Sequence, residues 1–409
     1  MSGRRGSAYV VVVGMMTLLA LIGLSAVGVS GAGLRSAVDT ADSTRAASAA
    51  LSAIEVGLDE LRSIDRPTAF GGVPTRLQGI HAEFGYRVED PYDGDLGGDP
   101  SDPAEILGVG ESGRARWAET AIAVDDPGLP IEPLGSALHA RDRLEITIGA
   151  TLTASGAAVS TDGELSLGGT IDGDAGAASR SGAGTVTGTL TVPTPERGIA
   201  RREVFDEWAA RGTELGFSGP MFGEVLSPAV NTYNGTPPDP HGVYVIRTGG
   251  SDLEIRSSRI LGTLVVDADP GGTVTIRDAM VLEPARVDAP ALLIRGEAVL
   301  GVGSGSLAEL VRSMNPPGAP HEGIEDLDLD DTFPSGVRGL VYVFGGLTLE
   351  GDGRYVGSIL VDGGVTVLDR PEIEHDRMMI LAPPLGFGDN LVVGDMRLRP
   401  LSHERVPLP

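Results

Sequence analysis

From Gly6 to Leu34 the chain carries no charge, and Arg4 and Arg5 stand just before this run. As a helix, Ala8 to Val29 would extend about 33 Å, enough to cross the hydrocarbon of a bilayer. The next stretch, "LRSAVDTADSTRAASAALSAIEVGLDELRSI", is rich in alanine and free of proline. Its apolar positions Leu34, Val38, Ala41, Leu51, Ile54, Leu58 and Leu61 recur at spacings of one helical face. Pro67 ends the pattern. The reading is one helix over residues 7–64, its first half apolar all round and its second half amphipathic.

Residues 65–140 show no sustained period and read as a linker with a small irregular region. From Arg141 the texture changes to short alternating runs broken by Gly, Ser and Asp, as in Leu144, Ile146 and Ile148 between Glu145, Thr147 and Gly149. A short helix interrupts this texture, with Phe205, Trp208 and Ala209 on one face and Trp208 as its packing anchor. The clearest signal is an internal repeat. "GVYVIRTGGSDLEIRSSRILGTLVVDADPGGTVTIRD" from Gly242 can be laid on "GLVYVFGGLTLEGDGRYVGSILVDGGVTVLD" from Gly339. Gly262 then matches Gly357, Val266 matches Val361, Asp267 matches Asp362, Val274 matches Val365 and Asp278 matches Asp369. Repeats too thin to bury their own apolar side chains must stack on one another. The expected fold is therefore mainly β: a right-handed parallel β-helix-like solenoid over 141–383, with a β-sandwich as the alternative. Ser306–Gly318 and the acidic run Glu325–Asp331 break the repeat and read as a lateral insertion. Residues 384–409 read as a loosely held tail.

Composition narrows the function. The net charge is −26, with every basic residue an arginine, so phosphate backbones would be repelled and nucleic acid is an unsuitable partner. With no cysteine, disulfides, thiol catalysis and cysteine metal sites are excluded. The six histidines are widely separated, none at metal-ligand spacing on a helix. Gly at 60 and Pro at 28, with aromatics at 4%, suit a turn-rich β architecture.

The opening run admits three readings: a cleaved signal peptide with "GVSGAG" as its cleavage region, a plain anchor, or a longer stem. Its form resembles the N-terminal segment of type IV pilins and pseudopilins, the PilX-like segment in particular. "RRGS" (Arg4 to Ser7) stands where that family has its basic leader, and "AYVVVVGMMTLLALIGL" where it has its apolar span. The resemblance implies cleavage by a prepilin peptidase between Gly6 and Ser7, leaving 1–6 as a cytoplasmic leader. It also implies pilin-like subunits as partners. Most members carry a glutamate five residues after the cut, where this chain has Val11. Arginines on the N-terminal flank place the N-terminus in the cytoplasm and the body outside the bacterial inner membrane. Ala26, Gly28, Ser30 and Ala32 form small-xxx-small pairs suited to close helix packing.

Candidate chemistry is sparse. "EDPYDGDLGGDPSDPAE" gathers Asp90, Asp93, Asp95, Asp99 and Asp102 among glycines, a calcium-like composition without the EF-hand spacing. It is the one cofactor reading the chain offers. Catalytic carboxylates on a solenoid would recur on one outward face. Asp267 with Asp269, and Asp362 with Asp369, are the candidates, in Asp-Gly settings that also make ordinary corners. No nucleophile elbow, His-Glu-x-x-His or phosphate loop occurs. The expectation is a structural, membrane-anchored envelope protein rather than an enzyme. Its polar solenoid face is offered to partners or glycans, and a tethered polysaccharide-active enzyme is the alternative.

Overall fold

The structure is a computed structural model of the chain. It describes residues 5–63, 77–79, 82–91, 96, 103–125, 128–309, 312–388, 396–399 and 402–407, the side chains of 5–11, 63 and 77–79 excepted. The chain divides into two compact units, Met1–Asp125 with Gly394–Pro409, and Asp126–Val393. It is mainly β, with one long N-terminal helix and one large parallel sheet.

In the first unit, α1 (Arg5–Ser63) is a single helix of 59 residues, and Gly28, Gly31 and Gly33 do not interrupt it. Its second half lies on an antiparallel sheet of β1 (Leu77–Gly79), β2 (Ala82–Glu89), β3 (Ala104–Ser112) and β4 (Ala115–Asp125). The contact is unusually close. Ala46, Ala50, Ala53, Ile54, Leu58 and Leu61 are buried, whereas Leu34, Val38 and Leu51 of the predicted face are exposed. Opposite them on β3 stand Gly108 and Gly110. A Cβ on Gly108 would lie 2.3 Å from the Ala50 carbonyl oxygen, and one on Gly110 2.0 Å from that of Ala46. Helix backbone therefore rests directly on strand backbone, with Ile106, Tyr86 and Val88 filling the remaining core.

This sheet corrects the reading of 65–140 as irregular. The inward positions of β3 include Gly108 and Gly110 in place of large apolar residues, so alternation is real in space but faint in hydropathy. The tail is corrected too. Met396–Leu398 and Glu404–Arg405 both pair with β4. The second unit is thus inserted, in sequence, between β4 and the strands that complete its sheet.

The second unit is a parallel solenoid whose coils each offer three short strands. Its spatial order differs from its sequence order. Coils 213–226, 243–261, 263–283, 292–337, 339–356 and 357–374 stack in turn. The last of these pairs with the first coil in sequence, 138–155, which continues into 159–172 and 175–186. The solenoid thus begins at Leu138, three residues before the predicted boundary. Residues 192–212, including α2 (Glu203–Arg211), carry the chain between the two parts.

The register reproduces the repeat residue for residue. Leu264, Leu292, Val341, Ile359 and Leu138 stack as one inward column, and Val266, Ile294, Val343, Val361 and Ala140 as another. At one corner Gly242, Gly262, Gly339 and Gly357 line up. A Cβ on Gly262 would meet the Gly242 carbonyl at 2.2 Å, and one on Gly357 that of Gly339 at 2.1 Å. Between the two inward columns runs an outward one: Val245, Val265, Leu293, Tyr342 and Leu360, then His139 and Ser160. Its apolar members are covered by Val204, Phe205 and Trp208 of α2 and by Met379 and Phe387. Burial on both sides explains why "YVI", "LVV" and "LLI" read as unbroken apolar runs.

Gly110→Ala is expected to destabilise the first unit by about 3 kcal/mol, because neither backbone can yield a carbonyl's width. Gly135→Ala, where a Cβ meets nothing within 4 Å, is the control and should change stability by under about 0.5 kcal/mol. Urea unfolding of both variants checks this.

Candidate functional site

Three features stand out once the fold is known. The first is the N-terminal half of α1. Met15, Leu24, Val27 and Val29 are each at least 66% exposed, and none of the most apolar window, of mean hydropathy 2.3, is buried. Thr17 and Ser25 donate their hydroxyls to the carbonyls of Val13 and Leu21, both at 2.8 Å. Those side chains therefore carry no unmet hydrogen bond into an apolar medium. By length and composition this half is a candidate membrane anchor. Gly6 and Ser7 fall in the first turn of α1, so the predicted processing point lies within the helix; Met1–Arg4 lie outside the described residues.

The second is a buried polar relay where the outward column turns from Leu360 to His139 and Ser160. Ser136, His139 and Ser160 are at most 2% exposed. Arg197 can only donate, and gives one N–H to Ser136 Oγ at 2.9 Å. Ser136 Oγ and Ser160 Oγ share a hydrogen bond at 2.8 Å, and Ser160 Oγ and His139 Nδ1 share another at 2.9 Å. His139 Nε2 lies 3.5 Å from Asp162 Oδ2 without a hydrogen bond between them. The other oxygen of that carboxylate, Asp162 Oδ1, accepts the Arg197 backbone N–H at 3.0 Å. Burial, and secondarily the Arg197 charge, hold His139 well below its usual value, at about 4; burial pushes Asp162 up. Serine, histidine and aspartate thus meet, but sealed under the segment carrying Arg197. The relay fastens that segment to the solenoid. Nothing in the spacing of residues 136, 139, 160, 162 and 197 announces it; only the stacking of coils brings them together.

The third is the insertion at 303–335. Arg259, 1% exposed, reaches out of its coil and donates to the carbonyls of Met314 and Ala319, both at 2.7 Å, and of Pro320 at 2.6 Å. Its guanidinium stands 5.9 Å from the Phe333 ring centre. Burial lowers its proton affinity. Val225, Val281, Leu307, Met314 and Phe333 form a small core around it. Glu309, Asp328 and Asp331 bring carboxylate oxygens within 4.8 Å of one another. Glu309 is already engaged by the N–H groups of Met314 and Asp331. Three such oxygens fall short of the six to eight that calcium takes.

The calcium candidates of the first unit are not assembled among the described residues: Asp90 is buried after β2, and Asp93, Asp95, Asp99 and Asp102 lie outside them. The solenoid aspartates are placed apart. Asp267 and Asp362 occupy the same column three coils from each other, about 14 Å at the usual strand spacing and wider than a glycosidic acid–base pair. Each is tied locally: Asp267 to Arg295, Asp269 to Arg202, Asp362 to Arg141, and Asp369 to the Gly351 N–H.

No protein-family model matches the chain, and neither does any curated protein. Solved structures similar to it include the competence-associated pilin ComZ from Thermus thermophilus, at 12% identity and a TM-score of 0.35, covering 89% of this chain and 98% of that one. An ice binding protein from an Antarctic biological consortium is 14% identical with a TM-score of 0.29, over 60% of this chain and 90% of that one. The Shewanella frigidimarina ice-binding protein_1 DUF3494 domain is 12% identical with a TM-score of 0.30, over 61% and 99%. At these scores the likenesses assign no family and no activity.

Two outcomes are expected. His139 is neutral in the fold, while the unfolded chain protonates it near pH 6.5. Stability should therefore fall as pH drops from about 6.5 to about 4, by up to about 3 kcal/mol. In His139→Gln this part of the pH dependence should vanish, measured as the difference in urea midpoint between the two chains at each pH. Arg259→Leu strips three buried carbonyls of their donor. It should cost about 3 kcal/mol and make the insertion the first site cut in limited proteolysis.

Proposed function

We propose that this chain is an exported, membrane-anchored structural protein of the bacterial envelope, built on a pilin- or pseudopilin-like stem. The observation that carries the reading is the division of α1. Its N-terminal half is apolar and bare, and its C-terminal half is the spine of an antiparallel sheet. A helix exposing this much aliphatic surface needs an apolar medium or neighbouring helices of its own kind. The arginines before the span orient the N-terminus toward the cytoplasm and the two folded units outward. The stem would hold the protein in the inner membrane and associate laterally with pilin-like subunits. The inserted solenoid would be the displayed part. Its coils are joined by backbone hydrogen bonds and a continuous core, a construction suited to presenting a rigid face. Val11, where most pilins carry glutamate, favours an accessory place in such an assembly over that of a major repeating subunit.

The N-terminal residue of the mature protein from native membranes tests this. Ser7 is expected, reporting prepilin-type processing after Gly6. A start at Ala32 or beyond would remove the stem and overturn the proposal, and an intact Met1 or Ser2 would reduce the helix to a plain anchor.

A further inference from the structure

Independently of the stem, we propose that the tip of the insertion, residues 322–331, is a docking surface for a basic protein partner with an apolar cleft. Three observations carry this. Ile324, Leu327 and Leu329 are 59%, 73% and 49% exposed, although the same insertion buries Leu307, Met314 and Phe333 at its base. The base is held firmly, by the three carbonyl contacts of Arg259 and the edge-on packing of His321 against Phe333 at 4.8 Å. The tip runs from Glu325 to Asp331 without strand partners and is pinned to that base by hydrogen bonds at Glu325, Asp326 and Asp331, which leaves Leu327 to Asp330 as the projecting part. It is therefore an extended segment offered from a fixed mount.

Its chemistry selects the partner. Six carboxylates (Glu322, Glu325, Asp326, Asp328, Asp330 and Asp331) surround the three aliphatic side chains, with no arginine between Glu322 and Asp331. A second copy of a chain with net charge −26 would be repelled, as would nucleic acid or an anionic lipid surface. What complements the tip is a protein cleft with an aliphatic or aromatic floor that takes Leu327 and Leu329, and a rim of lysine or arginine that meets the carboxylates. Docking would cover apolar surface now held in water, and the charges would set its salt dependence.

The test uses the full chain in its native membranes. A photoreactive benzoylphenylalanine replaces Asp330, and a control chain carries it at Thr185, exposed on a terminal coil. Crosslinking from position 330 should give one discrete adduct whose captured segment is basic and apolar. Its yield should collapse in about 1 M salt, where charges are screened beyond about 3 Å. Adding Leu327→Ser with Leu329→Ser should lower the yield about tenfold. Both leucines are exposed, so the fold should be kept, and unchanged urea unfolding verifies this. Equal crosslinking from position 185, an adduct indifferent to salt or to the serine substitutions, a captured segment that is acidic, or no adduct at all would each overturn the proposal.

Discussion

The solenoid depends on one join, the pairing of the last coil in sequence with the first. Ile359, Leu360 and Val361 lie beside Leu138, His139 and Ala140, and the neighbouring strands continue the match at Val365 with Leu144 and Ile373 with Ala154. On either side of this seam the coils are sequential. Across it they are more than two hundred residues apart, so the contact forms only after a long loop closes. Without it each part would end in an open edge of strands with a bared core. Polar side chains reinforce the place: the Ser358 hydroxyl donates to the Ser136 carbonyl at 3.0 Å, and Arg141 pairs with Asp362 at 2.7 Å.

Much of this solenoid was legible in the sequence, because its interior is built from large aliphatic residues at fixed offsets. The equivalence of Gly262 with Gly357, or of Val274 with Val365, follows from the need to place the same small corner and the same inward methyl groups on every coil. What no local pattern contains is the order of stacking. Backbone hydrogen bonds between coils are indifferent to sequence, so 357–374 pairs as readily with 138–155 as with a coil that would follow it in the chain.

The first unit was half legible for the opposite reason. The apolar run of α1 and its long helical continuation are plain in the residues. The sheet beneath it is not, because the interface is made by removing side chains: alanines on α1 and glycines on β3 let two backbones meet. Close approach of this kind leaves a hydropathy pattern almost without contrast, and Leu51 of the predicted face turns outward while Ile54, Leu58 and Leu61 are buried. The buried relay was hidden for a related reason. His139, Ser160 and Arg197 each read as ordinary polar residues until three separate segments converge.

The insertion of one unit into the other explains the unusual stacking order. A solenoid placed between two strands of the same sheet must receive and return the chain close together. Coils wound in simple sequence would put entry and exit at opposite ends, roughly 40 Å apart for nine coils at the usual strand spacing. Stacking the final coil on the first removes that distance. Pro130 then bridges Gly388, and the Ile131 N–H reaches the Phe387 carbonyl at 3.1 Å, so the incoming and outgoing segments run side by side. Phe387 packs in the same cluster as Leu134 and Met379, which fastens both segments to the outward column already covered by α2. The permuted order is thus what lets β4 leave its sheet for the solenoid and Met396–Leu398 come back to pair with it.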